Sequence, residues 1–229
     1  MRLHRFYINQ GIGTGKSLRV DDVELLNQWV KVFRLKTSDR VIVFDGSGSE
    51  FECYFSLLSK KEAILNIVEK REIKNVPKID LTIFQSIIKK DNFELIIQKC
   101  TEIGVTAFRP IISERSEKKD LNTERLQKIA KEASEQSGKG KLPEIFEPAR
   151  LENVIENFDG KLFVLDFDGE RLDSVLDSTM GILIGPEGGW TDSERELFKQ
   201  NGIKPISLGV PILRAETAAI AVSALILLK

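Results

Sequence analysis

Histidine is nearly absent from this 229-residue chain, and the other chemically distinctive residues are scarce: one His, two Cys, two Trp and two Tyr. With His4 alone, a histidine-based metal centre or a Ser-His-Asp triad is excluded unless His4 itself takes part. Cys53 and Cys100 sit singly in apolar segments without metal-ligand spacing, which reads as two reduced core thiols and no metal site. No apolar run of about 18 residues occurs ahead of the final helix, and that helix is too short to span a bilayer. The opening Met1-Arg2-Leu3-His4-Arg5-Phe6-Tyr7 lacks a signal-type apolar core, so a cytoplasmic protein with no membrane partner is expected.

The net charge of −1 conceals an asymmetry. Residues 1–142 hold 26 Lys/Arg against 20 Asp/Glu, a net of +6, whereas residues 143–229 hold 8 against 15, a net of −7. A basic first part suits an anionic polymer, although surplus charge also decorates solvated faces.

The first seventy residues read as mostly β. Arg5 to Ile8 predicts a strand, Asp21-Asp22 caps a helix to about Phe33, and residues 40–45 and 50–55 form a hairpin around Gly46-Ser47-Gly48-Ser49. Ala63 to Val68 adds a strand, and the charged stretch Lys70 to Lys78, containing Val76-Pro77, reads as a linker between domains at 1–72 and 73–229. Strands and helices then alternate. Ile79–Phe84, Thr106–Ile112, Lys161–Asp166 and Gly181–Ile184 are predicted strands, with helices over Asp91–Ile103, closed by Gly104, and Leu121–Ser137. This order predicts an α/β domain with a parallel sheet covered on both faces.

Two turns stand out. The apolar run Gly181–Ile184 breaks at Gly185-Pro186-Glu187-Gly188-Gly189, and Thr191 with Glu194 forms a capping box that opens a helix. Such a turn is where ligands meet free backbone N–H groups in open α/β sheets. Farther on, the predicted strand Ile206-Ser207-Leu208 bends at Gly209 and Pro211 into Arg214, Glu216 and an apolar helix over Ala218–Leu228, which has no polar face and is expected to be buried on all sides. Glu216 suits the positive end of that helix, whereas the dipole disfavours Arg214 there, so Arg214 reads as a ligand or substrate contact.

Taken in order, these segments resemble the RsmE family of bacterial methyltransferases, which modify N3 of a uridine in small-subunit ribosomal RNA. The resemblance is carried by Gln98-Lys99, Thr101-Glu102-Ile103-Gly104, Pro110, Glu114-Arg115, Glu132-Ala133, Glu135-Gln136-Ser137, Pro143, Ile184 to Gly189, Leu208-Gly209 and Ile212-Leu213-Arg214, then Glu216-Thr217-Ala218. A looser match covers Val32-Phe33-Arg34-Leu35 and Asp45-Gly46 with Gly48. It implies a small PUA-like β-rich RNA-binding domain, then a SPOUT-type parallel sheet whose C-terminal segment forms a trefoil knot.

The resemblance further implies S-adenosyl-L-methionine as cofactor, 16S ribosomal RNA in the small subunit as substrate, and a homodimer formed through the knot. It assigns the cofactor to Leu165, Gly185, Pro186, Glu187, Gly188, Gly189, Leu208, Gly209, Ile212, Leu213, Arg214 and Thr217. Arg214 and Glu216 take the catalytic roles, and Arg5, Arg34, Lys89, Lys99, Arg115 and Lys139 the RNA contacts. The chain departs from the family pattern at Gln28-Trp29, at Phe33 and at Gly138-Lys139-Gly140. Three other readings compete: a knotted methyltransferase acting on another base, a catalytically silent RNA-binding protein, and a nucleotide-binding α/β protein. The last is disfavoured, because no Lys-Ser/Thr follows the glycines and the turn contains Glu187.

Overall fold

Along residues 49–55 buried side chains alternate with half-buried or exposed ones, and that period of two builds a sheet with one packed face. A computed structural model describes residues 3–73, 78–116, 121–172 and 178–228. The chain divides into two units, Met1–Asn75 with Ser134–Lys141 and Val76–Ala133 with Leu142–Lys229.

In the first unit, β1 (Arg5–Tyr7), β2 (Ser17–Val20), α1 (Val23–Asn27), β3 (Arg40–Phe44), β4 (Ser49–Leu58) and β5 (Ala63–Glu72) follow in chain order. The sheet runs β1-β3-β4-β5-β2, antiparallel except for the parallel pair β1 and β3. Asp22 caps α1 as anticipated, its carboxylate accepting the Leu25 N–H at 3.0 Å. The helix then widens into a π-helical turn over Gln28–Val32, which carries Trp29 fully into the core. There its ring meets Phe6 and Phe55 edge-on, at centroid distances of 5.7 and 5.0 Å.

Three expectations for this unit need correction. The hairpin loop is Asp45–Gly48, one residue earlier, because Asp45 accepts the N–H groups of both Ser47 and Ile12 and so closes the turn itself. β2 was not foreseen; it joins the sheet edge beside β5 through only four residues. Lys70 to Glu72 complete β5 rather than starting a linker, and Val76-Pro77 lie outside the described residues.

The second unit continues with β6 (Asp80–Ser86), α2 (Lys90–Ile103), β7 (Ala107–Ile112), α3 (Thr123–Ser137, whose last turn falls in the first unit), β8 (Glu144–Ile145), β9 (Ala149–Arg150), α4 (Leu151–Glu156), β10 (Lys161–Arg171), β11 (Thr179–Ile184), α5 (Asp192–Gln200), β12 (Lys204–Ser207) and α6 (Ala215–Leu227). Its strands are ordered β12-β10-β11-β6-β7-β8, with β9 also beside β7, and every pairing is parallel. β6 and β11 are buried along almost their whole length, as central strands covered on both faces must be. Gly104 ends α2 in the left-handed conformation at φ 118°, which is the geometry of a glycine stop.

β8, β9 and α4 were not anticipated, and α6 corrects the expectation of burial on all sides. Ala219, Val222 and Ile226 are buried, but Thr217, Leu225 and Leu228 are exposed. No helix among the described residues is long and apolar enough to cross a membrane.

The Thr191 capping box is present in full, with Glu194 N–H bonded to the Thr191 hydroxyl and Thr191 N–H to the Glu194 carboxylate. Thr191→Ala should therefore cost about 1 kcal/mol and lower the urea midpoint. Burial pushes both thiols, Cys53 and Cys100, up to about 12. Neither should react with iodoacetamide at mildly alkaline pH in the native protein, and both should react after denaturation, as read by intact-mass spectrometry.

Candidate cofactor and substrate site

Because β12, β10 and β11 are neighbours, the segments leaving their carboxyl ends are brought side by side. A cavity of about 460 Å³ opens between them, lined by Leu165 to Phe167, by Ile184 to Trp190, and by Ser207 to Gly209 with Pro211 to Ala215. Two turns widely separated from residue 165 in sequence thus form one site. Its volume is that of a small-molecule pocket, for which about 300–1,000 Å³ is usual.

The 185–189 turn is built from main chain. Gly189 takes φ 70° and donates its N–H to Pro186 O at 2.9 Å, a conformation that favours glycine. Gly185 rests on the Trp190 indole; a Cβ there would stand 3.2 Å from the ring. Trp190 is buried, packs edge-on against Phe198, and donates its ring N–H to Leu165 O at 3.2 Å, tying this turn to β10 where its ladder breaks. On the open side, the Arg115 guanidinium donates to Gly188 O at 2.6 Å and to Trp190 O at 3.5 Å. Beside it, Glu114 N–H donates to the buried Glu194 carboxylate at 2.9 Å, and Ser193 donates to the Glu114 carboxylate at 2.6 Å.

The 208–214 turn is anchored where Gly209, at φ 109°, donates its N–H to the Ser207 hydroxyl at 3.1 Å. Ile212 is 81% exposed and forms part of the cavity rim. Arg214 occupies the N-cap position of α6 with extended backbone, makes no capping bond, and lines the cavity. Glu216 is buried in the first turn of α6, and its Oε2 has no hydrogen-bond partner. An unpaired buried carboxylate oxygen at a helix start is costly.

Of the twelve residues assigned to the cofactor, eleven line this cavity: Leu165, the five of the 185–189 turn, Leu208, Gly209, Ile212, Leu213 and Arg214. Thr217 is exposed and lies outside the lining, as does Glu216. Among the residues assigned to RNA in this unit, Lys89 is exposed just ahead of α2, Lys99 is paired with Glu102 at 2.8 Å, and Arg115 braces the glycine turn. In the first unit, Arg5 pairs with Glu50 at 3.3 Å, Arg34 is exposed and left-handed at φ 52°, and burial lowers the pKa of Lys139.

Sequence reasoning missed Trp190, Asp166, Phe167 and Arg195, all of which line the cavity. Trp190 directly follows the glycine turn, so its adjacency was a usable signal. Asp166 and Phe167 had none, because β10 does not end at Asp166. Its pairing with β12 skips from Leu165 to Glu170, and both residues face Ile206, so residues 166–169 loop out of the ladder.

Comparison with known proteins agrees with this construction. A family model described as an RNA methyltransferase domain matches residues 74–227, and one described as an RNA methyltransferase PUA domain matches residues 30–68. Fold and site thus define an RNA methyltransferase: a PUA-like β domain and an all-parallel α/β domain of the SPOUT class. Ribosomal RNA small subunit methyltransferase E of Rickettsia conorii is 31% identical over 96% of this chain and 93% of its own. Its Aquifex aeolicus counterpart is 30% identical over 98% and 99%. The Neisseria gonorrhoeae enzyme of the same name, crystallised with S-adenosyl methionine, superposes with a TM-score of 0.89 at 26% identity, covering 98% of this chain and 96% of that one. The chain belongs to the ribosomal RNA small subunit methyltransferase E family.

A Cβ at Gly188 would come within 3.2 Å of Arg115 Cδ, and a branched side chain would fill the cavity lip. Gly188→Val should abolish saturable binding of S-adenosylmethionine in calorimetric titration while leaving the circular dichroism spectrum unchanged.

Proposed function

We propose that this protein transfers the methyl group of S-adenosylmethionine to N3 of a uridine in the 16S ribosomal RNA of the small subunit. The observation that carries the proposal is the meeting of the two glycine turns and Arg214 around one cavity. The names of the relatives support ribosomal RNA as substrate, and the cofactor in the Neisseria structure supports the donor.

The residues present fit that cofactor. The lining offers bare main chain from Gly185 to Gly189 for a flat polar group, Leu165, Ile212 and Leu213 for apolar contact, and the Glu187 carboxylate for a cationic one. Glu216, two residues beyond Arg214, is buried outside the lining and its Oε2 has no partner. Thr217 does not line the cavity and so contributes no direct contact there.

S-adenosylmethionine, when bound, supplies a methyl group already activated by its sulfonium, so no covalent nucleophile or metal is needed from the chain. What remains for the protein is to align N3 and let its proton leave. N3–H lies in the base-pairing edge, so the uridine must be unpaired or extruded. As that proton departs, negative charge spreads to O2 and O4 of the ring. A fixed guanidinium is the natural stabiliser, and Arg214 takes that role. Glu216 orients Arg214 or the base edge.

Residues 1–72 serve as the PUA-like RNA-binding module and residues 73–229 as the catalytic domain. Arg34 and Lys89, exposed and cationic, are the strongest of the six RNA contacts, whereas Arg115 acts mainly on the glycine turn and Lys99 is held by Glu102. Phosphate contacts of this kind set orientation and affinity, not base choice. A knot at the carboxyl end is supported by the path of the chain: β12 lies at the sheet edge beyond β10, yet α6 returns to pack on α2, β6 and β11. A homodimer is supported by the exposed Leu225 and Leu228 at the end of α6; a bacterial ribosomal RNA substrate fits the cytoplasm.

The test is methyl transfer from labelled cofactor to small ribosomal subunits lacking the modification, followed by nucleoside mass spectrometry. Wild type should yield N3-methyluridine, and Arg214→Ala should lower the rate by about 10²- to 10³-fold, the loss usual for removing one such donor. Product at another nucleoside position, or none, would overturn the assignment. Sedimentation at micromolar concentration should give a dimer.

A further inference from the structure

Phe167 is the one phenylalanine among the described residues that stands exposed, at 62%, and it does so on the lining of the cavity. A solvated aromatic ring on the lining of a pocket calls for an occupant. Its backbone is fixed from two directions. The Phe167 N–H donates to the Asp166 carboxylate at 2.7 Å, and that carboxylate, only 8% exposed, is held by Arg195 of α5 at 3.0 Å. Two residues on, Gly169 lies so close to the neighbouring strand that a Cβ would fall 2.4 Å from the Ile206 carbonyl carbon.

The chain therefore leaves the ladder at Leu165, presents Phe167, and returns at Glu170 to the same partner, Ile206. Bulges beside active sites commonly re-aim one side chain, and here that side chain is a flat ring. Three arginines, Arg115, Arg195 and Arg214, line the cavity with two carboxylates, Asp166 and Glu187, a net of one positive charge beside the ring.

We infer that Phe167 is the platform on which the extruded target pyrimidine stacks beside the methyl donor. This rests on the base-methylation reading above. The cofactor is the weaker choice of occupant, because the 185–189 and 208–214 turns offer it main chain on the same cavity, whereas Phe167 offers an exposed flat ring. Stacking tolerates any flat base, so Phe167 contributes affinity and placement, and recognition of the uracil edge falls to polar groups.

The experiment compares wild type with Phe167→Ala, Phe167→Leu and Phe167→Trp, using the full chain and unmethylated small ribosomal subunits. Alanine and leucine should lower kcat/KM for the subunit by roughly 10- to 100-fold, the range that loss of one base–aromatic stack produces. Tryptophan should restore at least a third of the wild-type value. Affinity for S-adenosylmethionine, measured by calorimetry, should change less than twofold in all three. Wild-type-like activity in the leucine variant would overturn the inference, because an apolar plug would then suffice. So would a parallel loss of cofactor affinity, which would make Phe167 a cofactor contact, or dissociation of the alanine variant to monomers in sedimentation. If wild type binds the cofactor but methylates no subunit RNA, it is the functional reading that fails, and this inference falls with it.

Discussion

A turn made of glycine main chain has to be held still by residues that are not part of it. Residues 185–189 have almost no side chains with which to fix themselves, and glycine has more conformational freedom to lose than any other residue. The fixing comes from three sides. Trp190 reaches to Leu165 O, Arg115 grips Gly188 O, and the Glu194 carboxylate closes the capping box while receiving Glu114 N–H. These bonds join the middle of β10, the carboxyl ends of β11 and β7, and the start of α5. The cavity keeps its shape because four elements share one set of polar contacts, and backbone groups are free to face a ligand only because side chains from elsewhere restrain the chain that carries them.

Much of this was legible in the sequence. The capping box, the glycine stop at Gly104, the N-cap at Asp22 and the Gly185–Gly189 turn are local signals, and local bonding fulfils them. Eleven of the residues singled out for the cofactor share one cavity because β12, β10 and β11 are adjacent, an order that no pattern along the chain encodes. The misses are tertiary. The loop at 166–169 exists because two residues of β10 compete for one partner in β12, which is a matter of register. β2 is four residues long with only two buried, Leu18 and Val20, too little alternation to declare a strand. The π-helical turn at Gln28–Val32 follows from where the Trp29 ring finds Phe6 and Phe55.

The final helix illustrates how composition alone can mislead. A segment with no polar face was read as buried throughout, and the reading took apolar residues as sufficient evidence of a covering layer. Within one chain the layer covers only the Ala219, Val222 and Ile226 side, where Ser223 still finds the Ala219 carbonyl at 2.7 Å. Leu225 and Leu228 are left outward, on the same element that carries Arg214 and Glu216 at its start. The cavity and the exposed leucines thus meet one helix at its two ends. Whatever covers the outer face is linked by that helix to the arginine in the cavity.

The return of β10 to Ile206 bears on how such a site diversifies. Because Leu165 and Glu170 face the same residue, the sheet registers on either side do not depend on what lies between them. Residues 166–168 can change in length or chemistry without shifting a single rung of the ladder, provided the close approach at Gly169 is kept. The segment is a cassette: the scaffold sets where it begins and ends, and what it displays toward the cavity is set by residues 166–168 alone.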